Sequence, residues 1–510
     1  MSDETVTERT VFKPERALAA LIAAAVLAVV HQYLFYGTMP GVSYPIYVCL
    51  FYGFMLYFAK DQKRTFTFFS SVWLGAIFLL SLTFAFFYNL FFYGLNLLVV
   101  PVLIVLHMTY MLSERRPDWS RMRLAGIALE HFFLQSFRHW STALVVLRGS
   151  RGGKVKDERK KVVVKVLTGL VISFPLLLIV FTLLSSADGV FHHVMLELPN
   201  ILDHISFGQG FTRTLWIVLL SFGLFGFLWG FVDAKTYVWG TTRQEFGPQL
   251  RSVPHPQPVP LTIDPVILTT VLAVINTVYV LYVLVQFSYL FGAWEGVVPE
   301  GSTYADYARS GFLELMLVTA INFVILLLGL KPSGITSGLL RTVINTFLYI
   351  MVLCSMVMLY SAYTRLALYE EAYGYTYIRF LVHAFMIFLG LLLVLAAVRI
   401  RLAKFPLAKC YIVLGLLSYV LMNYIGMDHI IANKNIERYK ASGNLDTYYL
   451  TTLSPGTVPD LLEFSRQEGG ILDEEMRSKW QDMERTVHKW PSFNLAQFRA
   501  DRALADYFEP

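Results

Sequence analysis

"RLALYEEAYGYTYIR" occupies residues 365–379, and the walls on either side of it decide the fold. Its fifteen residues hold two arginines, two glutamates and four tyrosines. Residues 342–363 before it and 380–398 after it are almost wholly apolar. Each wall is about 20 residues long, the length a helix needs to cross roughly 30 Å of hydrocarbon. A dense patch of charge and phenol therefore sits where two expected membrane helices meet.

Similar walls recur along the chain. Of its 510 residues 56% are hydrophobic and only 15% charged, and the mean hydropathy is +0.55. Soluble domains carry roughly 45–50% apolar and about 25% charged residues, so the composition points to a polytopic membrane protein. The apolar stretches are continuous and not alternating, which excludes a strand barrel. The fold class expected is an all-α integral membrane protein with about eleven spans. They fall at 17–36, 41–59, 66–87, 92–112, 163–185, 214–235, 265–290, 311–330, 342–363, 380–398 and 410–427. The third and fourth are separated only by the uncharged "FFYNLFFYG". The first span is too long for a signal-peptide core and no small-residue cleavage site follows it, so an uncleaved helix is expected.

Loop charge gives an orientation. With residues 1–16 inside, the inside loops are "KDQKR", 113–162, 236–264, "KPSGITSGLLR" and "RIRLAKFPLAK", and 113–161 alone holds twelve Lys and Arg. The outside loops are uncharged, or their acids match or outnumber their bases. Basic loops stay on the cytoplasmic side. This places the N-terminus inside and the tail outside. The net charge of +6 is accounted for by these loops, and no nucleic-acid partner is expected.

Residues 124–147 are apolar but interrupted by Glu130, His131, Arg138 and His139. They read either as an interfacial helix over anionic cytoplasmic-face lipids or as part of an ordinary basic loop. The proline-rich "GPQLRSVPHPQPVP" reads as an extended linker. The tail, 429–510, has room for a small helical extracytoplasmic module. Cys49, Cys354 and Cys410 lie in or beside apolar spans, without metal or disulfide spacing. No cofactor or metal is expected.

Most polar residues within the spans, namely His31, Gln32, Asn89, Asn96, Gln286, Glu314, His383 and Asn423, fall in the outer third. They line an outward-opening cavity or simply mark wet helix ends. Glu314 follows Arg309 by five positions, as a structural ion pair or as a proton-carrying acid. Asn276, Asn322 and Asn345 close "VIN" or "AIN" triplets inside spans and read as interhelical glue. His193 and Glu197, one helical turn apart in an outside loop, could share a metal or only make interfacial hydrogen bonds. In 365–379 itself, one reading is a tyrosine belt at the membrane boundary. The other is a lid whose Arg365, Glu371 and Arg379 join Arg309, Glu314 and His383 around a headgroup. Walker, GxGxxG, HExxH and GxSxG patterns are missing.

"LLSSADGVF" (183–191), "YADYARSGFLEL" (304–315) and "RLALYEEAYGYTYIR", with "NLDTYYLTTLSPGTVPDLLE" in the tail, resemble a bacterial polytopic membrane family known only as a domain of unknown function, number 4173. The resemblance runs from about the fifth span into the tail. It implies a bacterial cell membrane and transfers no catalytic residue. The functional expectation is a membrane protein that binds or moves an envelope solute or lipid, or senses one for a partner; the alternative is an outward-facing enzyme on a lipid-linked or cell-wall substrate.

Overall fold

A computed structural model describes residues 14–61, 66–113, 116–147, 209–233, 264–293, 312–330, 338–484 and 489–509. Every regular element among the described residues is helical. This is what hydrocarbon demands of an open chain, because a helix satisfies its own backbone. Eight helices among the described residues are long and apolar enough to span a membrane. The other three expected spans fall outside that count. Residues 41–59 form a helix of only 16 residues, 311–330 carries an 18-residue helix, and 163–185 lies outside the described residues. The outside loop with His193 and Glu197, and the 248–260 linker, also lie outside them.

The chain divides into two compact units. The first contains α1 (Pro14–Phe35), α2 (Ser43–Phe58), α3 (Phe68–Phe86), most of α4 (Leu90–Leu112), and the helices up to Val232. The uncharged stretch between the third and fourth spans does break: Phe87 is extended, and α4 begins at Leu90. Buried His107 ties α2, α3 and α4 together. Its Nδ1 is 2.9 Å from the Tyr52 hydroxyl and its Nε2 2.9 Å from Ser70 Oγ. Ser70 Oγ donates to Met111 Sδ, so it accepts from Nε2–H, and Nδ1 accepts from Tyr52. Asn96 adds a bond from α4 to Thr83 of α3 (3.0 Å).

Residues 123–147 form α5 (Arg123–Glu130), a π-helical turn (His131–Gln135), α6 (Ser136–Arg138) and α7 (Trp140–Leu147), which pack on α8 (Gln209–Val232). Glu130, His131 and His139, which interrupt the apolar pattern, are buried. His131 Nε2 donates to the Phe227 carbonyl (2.9 Å), and its ring stacks on Phe231. Two glycines of α8 allow this approach. A Cβ on Gly226 would overlap the Ser136 carbonyl, and one on Gly230 would come within 2.8 Å of the His131 ring.

The second unit contains α9 (Pro265–Ala293), α10 (Phe312–Gly329), α11 (Leu339–Tyr373), α12 (Tyr377–Arg401) and α13 (Leu407–Tyr424). α11 is central and packs against α9, α10 and α12. Leu272, Leu326, Leu348, Met351, Met358, Leu393 and Ala396 form its core. Two of the triplet asparagines are interhelical glue as expected. Asn276 donates to the Phe347 carbonyl (3.0 Å) and Asn322 to Ser355 Oγ (2.9 Å), each bond contributing about 0.6–2 kcal/mol.

The tail continues as α14 (Met427–Ser442), α15 (Thr447–Thr452), α16 (Val458–Gln467), α17 (Asp473–Glu484) and α18 (Leu495–Phe508). Leu450, Leu453, Val458, Leu461, Phe464, Leu472, Met476 and Leu504 are buried among these helices. Gly426, in the left-handed region at φ +71°, joins the end of α13 to α14.

Candidate functional site

α11 has 35 residues. At about 1.5 Å per residue it is on the order of 50 Å long, well beyond the roughly 30 Å of a bilayer core. Its C-terminal turns therefore carry Arg365–Tyr373 past the length a span needs. The stretch is not a lid. It ends one helix, turns at Gly374 and starts the next. Gly374 has φ +88° and ψ 167°, a region open essentially to glycine alone.

Inside this turn, Glu370 of α11 meets His383 of α12. Glu370 Oε2 lies 3.2 Å from His383 Nδ1, and their side chains are only 5% and 15% exposed. His383 stacks on Tyr363, and its Nε2 is 3.3 Å from the Tyr363 carbonyl. A carbonyl only accepts, so Nε2 carries a proton. The pair is a buried contact between a carboxyl group and an imidazole. A buried carboxylate is tolerated only with such a partner.

The turn is also clamped from the tail. The Tyr375 N–H donates to Asn435 Oδ1 (3.0 Å), and Asn435 Nδ2 donates back to the Tyr375 carbonyl (2.8 Å). The Tyr377 N–H donates to the Tyr449 hydroxyl (3.0 Å). Arg379 donates to the Gly374 carbonyl and lies over the Tyr369 ring, 4.1 Å from its centroid. One amide side chain thus supplies both hydrogen bonds that a paired strand would otherwise provide.

The candidates named from sequence separate. Arg379 and His383 converge on the turn, at neighbouring residues Tyr369 and Glu370. Arg365 is half-buried on α11, and Glu371 is exposed. Arg309 and the side chain of Glu314 lie outside the described residues. Sequence reasoning missed Glu370 and Asn435. Glu370 had a signal: the buried stripe Met351, Ser355, Met358, Ala362, Leu366 reaches it at the next step of four. Asn435 had none, because its partner lies 60 positions away. Other polar residues of the spans also find protein partners: Asn89 donates to Asp428 (2.7 Å), and Asn423 to its own helix at Tyr419 (2.9 Å). No group of three or more metal-ligating side chains occurs among the described residues.

A second polar cluster adjoins the clamp. Buried Asp428 accepts from Asn89 and, at 3.4 Å, from the Ser454 N–H. Lys479 donates to the carbonyls of Thr451 (2.7 Å) and Leu453 (2.9 Å). Burial lowers its pKa to about 8, with Asp428 opposing the shift. Burial also pushes the Tyr449 hydroxyl up to about 12, so it stays neutral while accepting from Tyr377. For Lys479 the folded value lies below the unfolded one, so between about pH 8 and 10 the unfolded chain holds more protons. Its contribution to stability must rise with pH across that window. Thermal unfolding at pH 7.5 and 9.5 should show a more positive change for wild type than for Lys479→Met, which cannot titrate. Parallel changes would contradict the assignment.

A family model described as Domain of unknown function (DUF4153) matches residues 74–464. No curated protein and no solved structure matches the chain. The match covers well over half of the sequence and includes the whole Glu370–His383–Asn435 region; it starts far ahead of the fifth span. The chain belongs to the DUF4153 family, which corrects the number 4173 attached to the motif resemblance.

Proposed function

We propose that the chain binds or senses an envelope solute or lipid at the tip of the α11–α12 hairpin and transmits that event to its C-terminal helices. In this reading it is a multi-pass protein of a bacterial cell membrane with about eleven spans. Its N-terminus is inside, its C-terminal helices are outside, and the basic 113–162 segment meets anionic cytoplasmic-face lipids. The observation that carries the proposal is the Asn435 clamp above the buried Glu370–His383 pair. A buried carboxyl–imidazole pair at the foot of a turn held by a second group of helices gives binding a route outwards. Arg365, Arg379 and His383 meet an anionic or zwitterionic headgroup, with Arg309, Glu314 and Glu371 completing the set. Charge-assisted hydrogen bonds of this kind are roughly twice as strong as neutral ones.

Native mass spectrometry of protein extracted with its lipids should show a retained anionic or zwitterionic ligand. Arg365→Ala should lose it while the protein remains as abundant as wild type. Loss of abundance in step with loss of ligand would make Arg365 structural and remove the binding reading. Orientation has its own test. Single cysteines in the tail should react with an impermeant maleimide in intact cells, and cysteines in 236–264 should not. A protected tail would reverse the topology. The second reading, an outward-facing enzyme on a lipid-linked or cell-wall substrate, is favoured by a different group of side chains, on α14 and the turn before α16.

A further inference from the structure

We propose that Ser454, His429 and Asp460 form a serine acyl-hydrolase centre acting on the ester carbonyl of a bilayer lipid. His429 lies in the first turn of α14, five positions beyond the end of α13, a helix long and apolar enough to span. Its imidazole therefore sits near the membrane boundary, where lipid ester groups reside. His429 Nδ1 is 2.8 Å from Asp460 Oδ2, and both side chains are about half exposed, at 45% and 47%. This contact fixes the ring and leaves Nε2 as the working nitrogen.

Nε2 and the Ser454 hydroxyl both lie close to Gly456. The place a Cβ of Gly456 would occupy is 3.3 Å from Nε2 and 3.8 Å from Ser454 Oγ. Base and nucleophile thus flank one small gap, kept open because residue 456 has no side chain. Neither atom makes a hydrogen bond within the described protein. For Ser454 this is informative. It occupies the N-cap position of the Pro455–Thr457 turn, yet its hydroxyl makes no capping bond. A cap serine ordinarily accepts from the backbone two or three residues on. Ser454 instead has its backbone N–H held by buried Asp428 and its hydroxyl uncommitted. Resting sites often leave the nucleophile–base bond open until substrate enters.

The chemistry balances with water as the second substrate. Ser454 Oγ bonds to the ester carbonyl carbon as its proton moves to His429 Nε2. The carbon–oxygen bond to the alcohol breaks, and Nε2 returns the proton to the leaving oxygen. Water then attacks the acyl-serine, its proton passing through Nε2 to Ser454 Oγ, and a free fatty acid leaves. Ser454 and His429 are the catalytic residues; Asp460 is a positioning residue. The proposal holds for either face of the membrane.

The test uses the full chain in vesicles of phosphatidylethanolamine and phosphatidylglycerol, with a fluorophosphonate probe and a fatty-acid release assay. Wild type should be labelled at Ser454 and release fatty acid. Ser454→Ala should do neither. His429→Gln should slow labelling on the order of 10²-fold or more. Asp460→Asn should lower the maximal labelling rate without changing the probe concentration that half-saturates it. Gly456→Val should block the gap and abolish labelling while the unfolding temperature stays that of wild type. Folded wild type that is not labelled, or labelling indifferent to His429, overturns the centre. Labelling without fatty-acid release overturns the lipid ester as substrate.

Discussion

Glu370→Ala should cost about 3–5 kcal/mol, the penalty of leaving one member of a buried pair alone. Most of the folded protein should be lost with it. The alanine leaves His383 Nδ1 facing a void while Nε2 remains engaged with the Tyr363 carbonyl. Glu370→Gln should behave quite differently. Its amide fills the same space and can donate to Nδ1, so folding should survive to within about 1 kcal/mol. Thermal unfolding in detergent, with abundance in membranes, separates the two. Equal loss in both variants would show that charge, not a supplied hydrogen, is what the site needs. If Gln folds normally but loses ligand retention, the carboxyl group itself is functional. Glu371→Ala, one position along and exposed, is the natural control.

The second large effect is expected in the other unit, at Gly226→Val. A Cβ there would overlap the Ser136 carbonyl and approach Trp140 to 3.2 Å. The obstruction is backbone, so no rotamer change relieves it. Forcing α6 away from α8 should cost about 1–3 kcal/mol or more. It should also expose His131, whose Nε2 bond to Phe227 depends on the same approach. Protease protection of 123–147 in membranes should be lost. Gly223→Val, three positions earlier with open space around its Cβ position, should leave protection intact. Similar behaviour of the two variants would mean that the glycines are not what brings these segments together.

Both cases show where sequence reading stops. The spacing Gly226–Gly230 in α8 is the small-residue pattern that lets helices approach closely, and it was readable. What it packs against was not, because the partner is a broken helix nearly a hundred positions earlier, with a π-helical turn that no local pattern announces. Glu370 was likewise readable as the next step of a buried stripe. Its neighbour Glu371 carries the same charge, and only the helix phase at the end of α11 sends one inward and the other to the surface. The amides were easier. A buried asparagine in an apolar helix must bond to something, and neighbouring helices are all that is available, so the roles of Asn276 and Asn322 followed from residue type and place.

The sequence by itself determined the helical membrane class, the places of most spans and the presence of a polar interruption at 365–379. These follow from local quantities: apolar length against bilayer thickness, and the need of each backbone group for a partner within its own segment. The tertiary structure decided what the interruption is for. It made 365–379 a turn held by Asn435, paired Glu370 with His383 across it, and brought both Ser454 and His429 up to Gly456. Each of these depends on contacts between residues far apart in the chain. Their energies come from burial and hydrogen-bond geometry that exist only once the helices have packed.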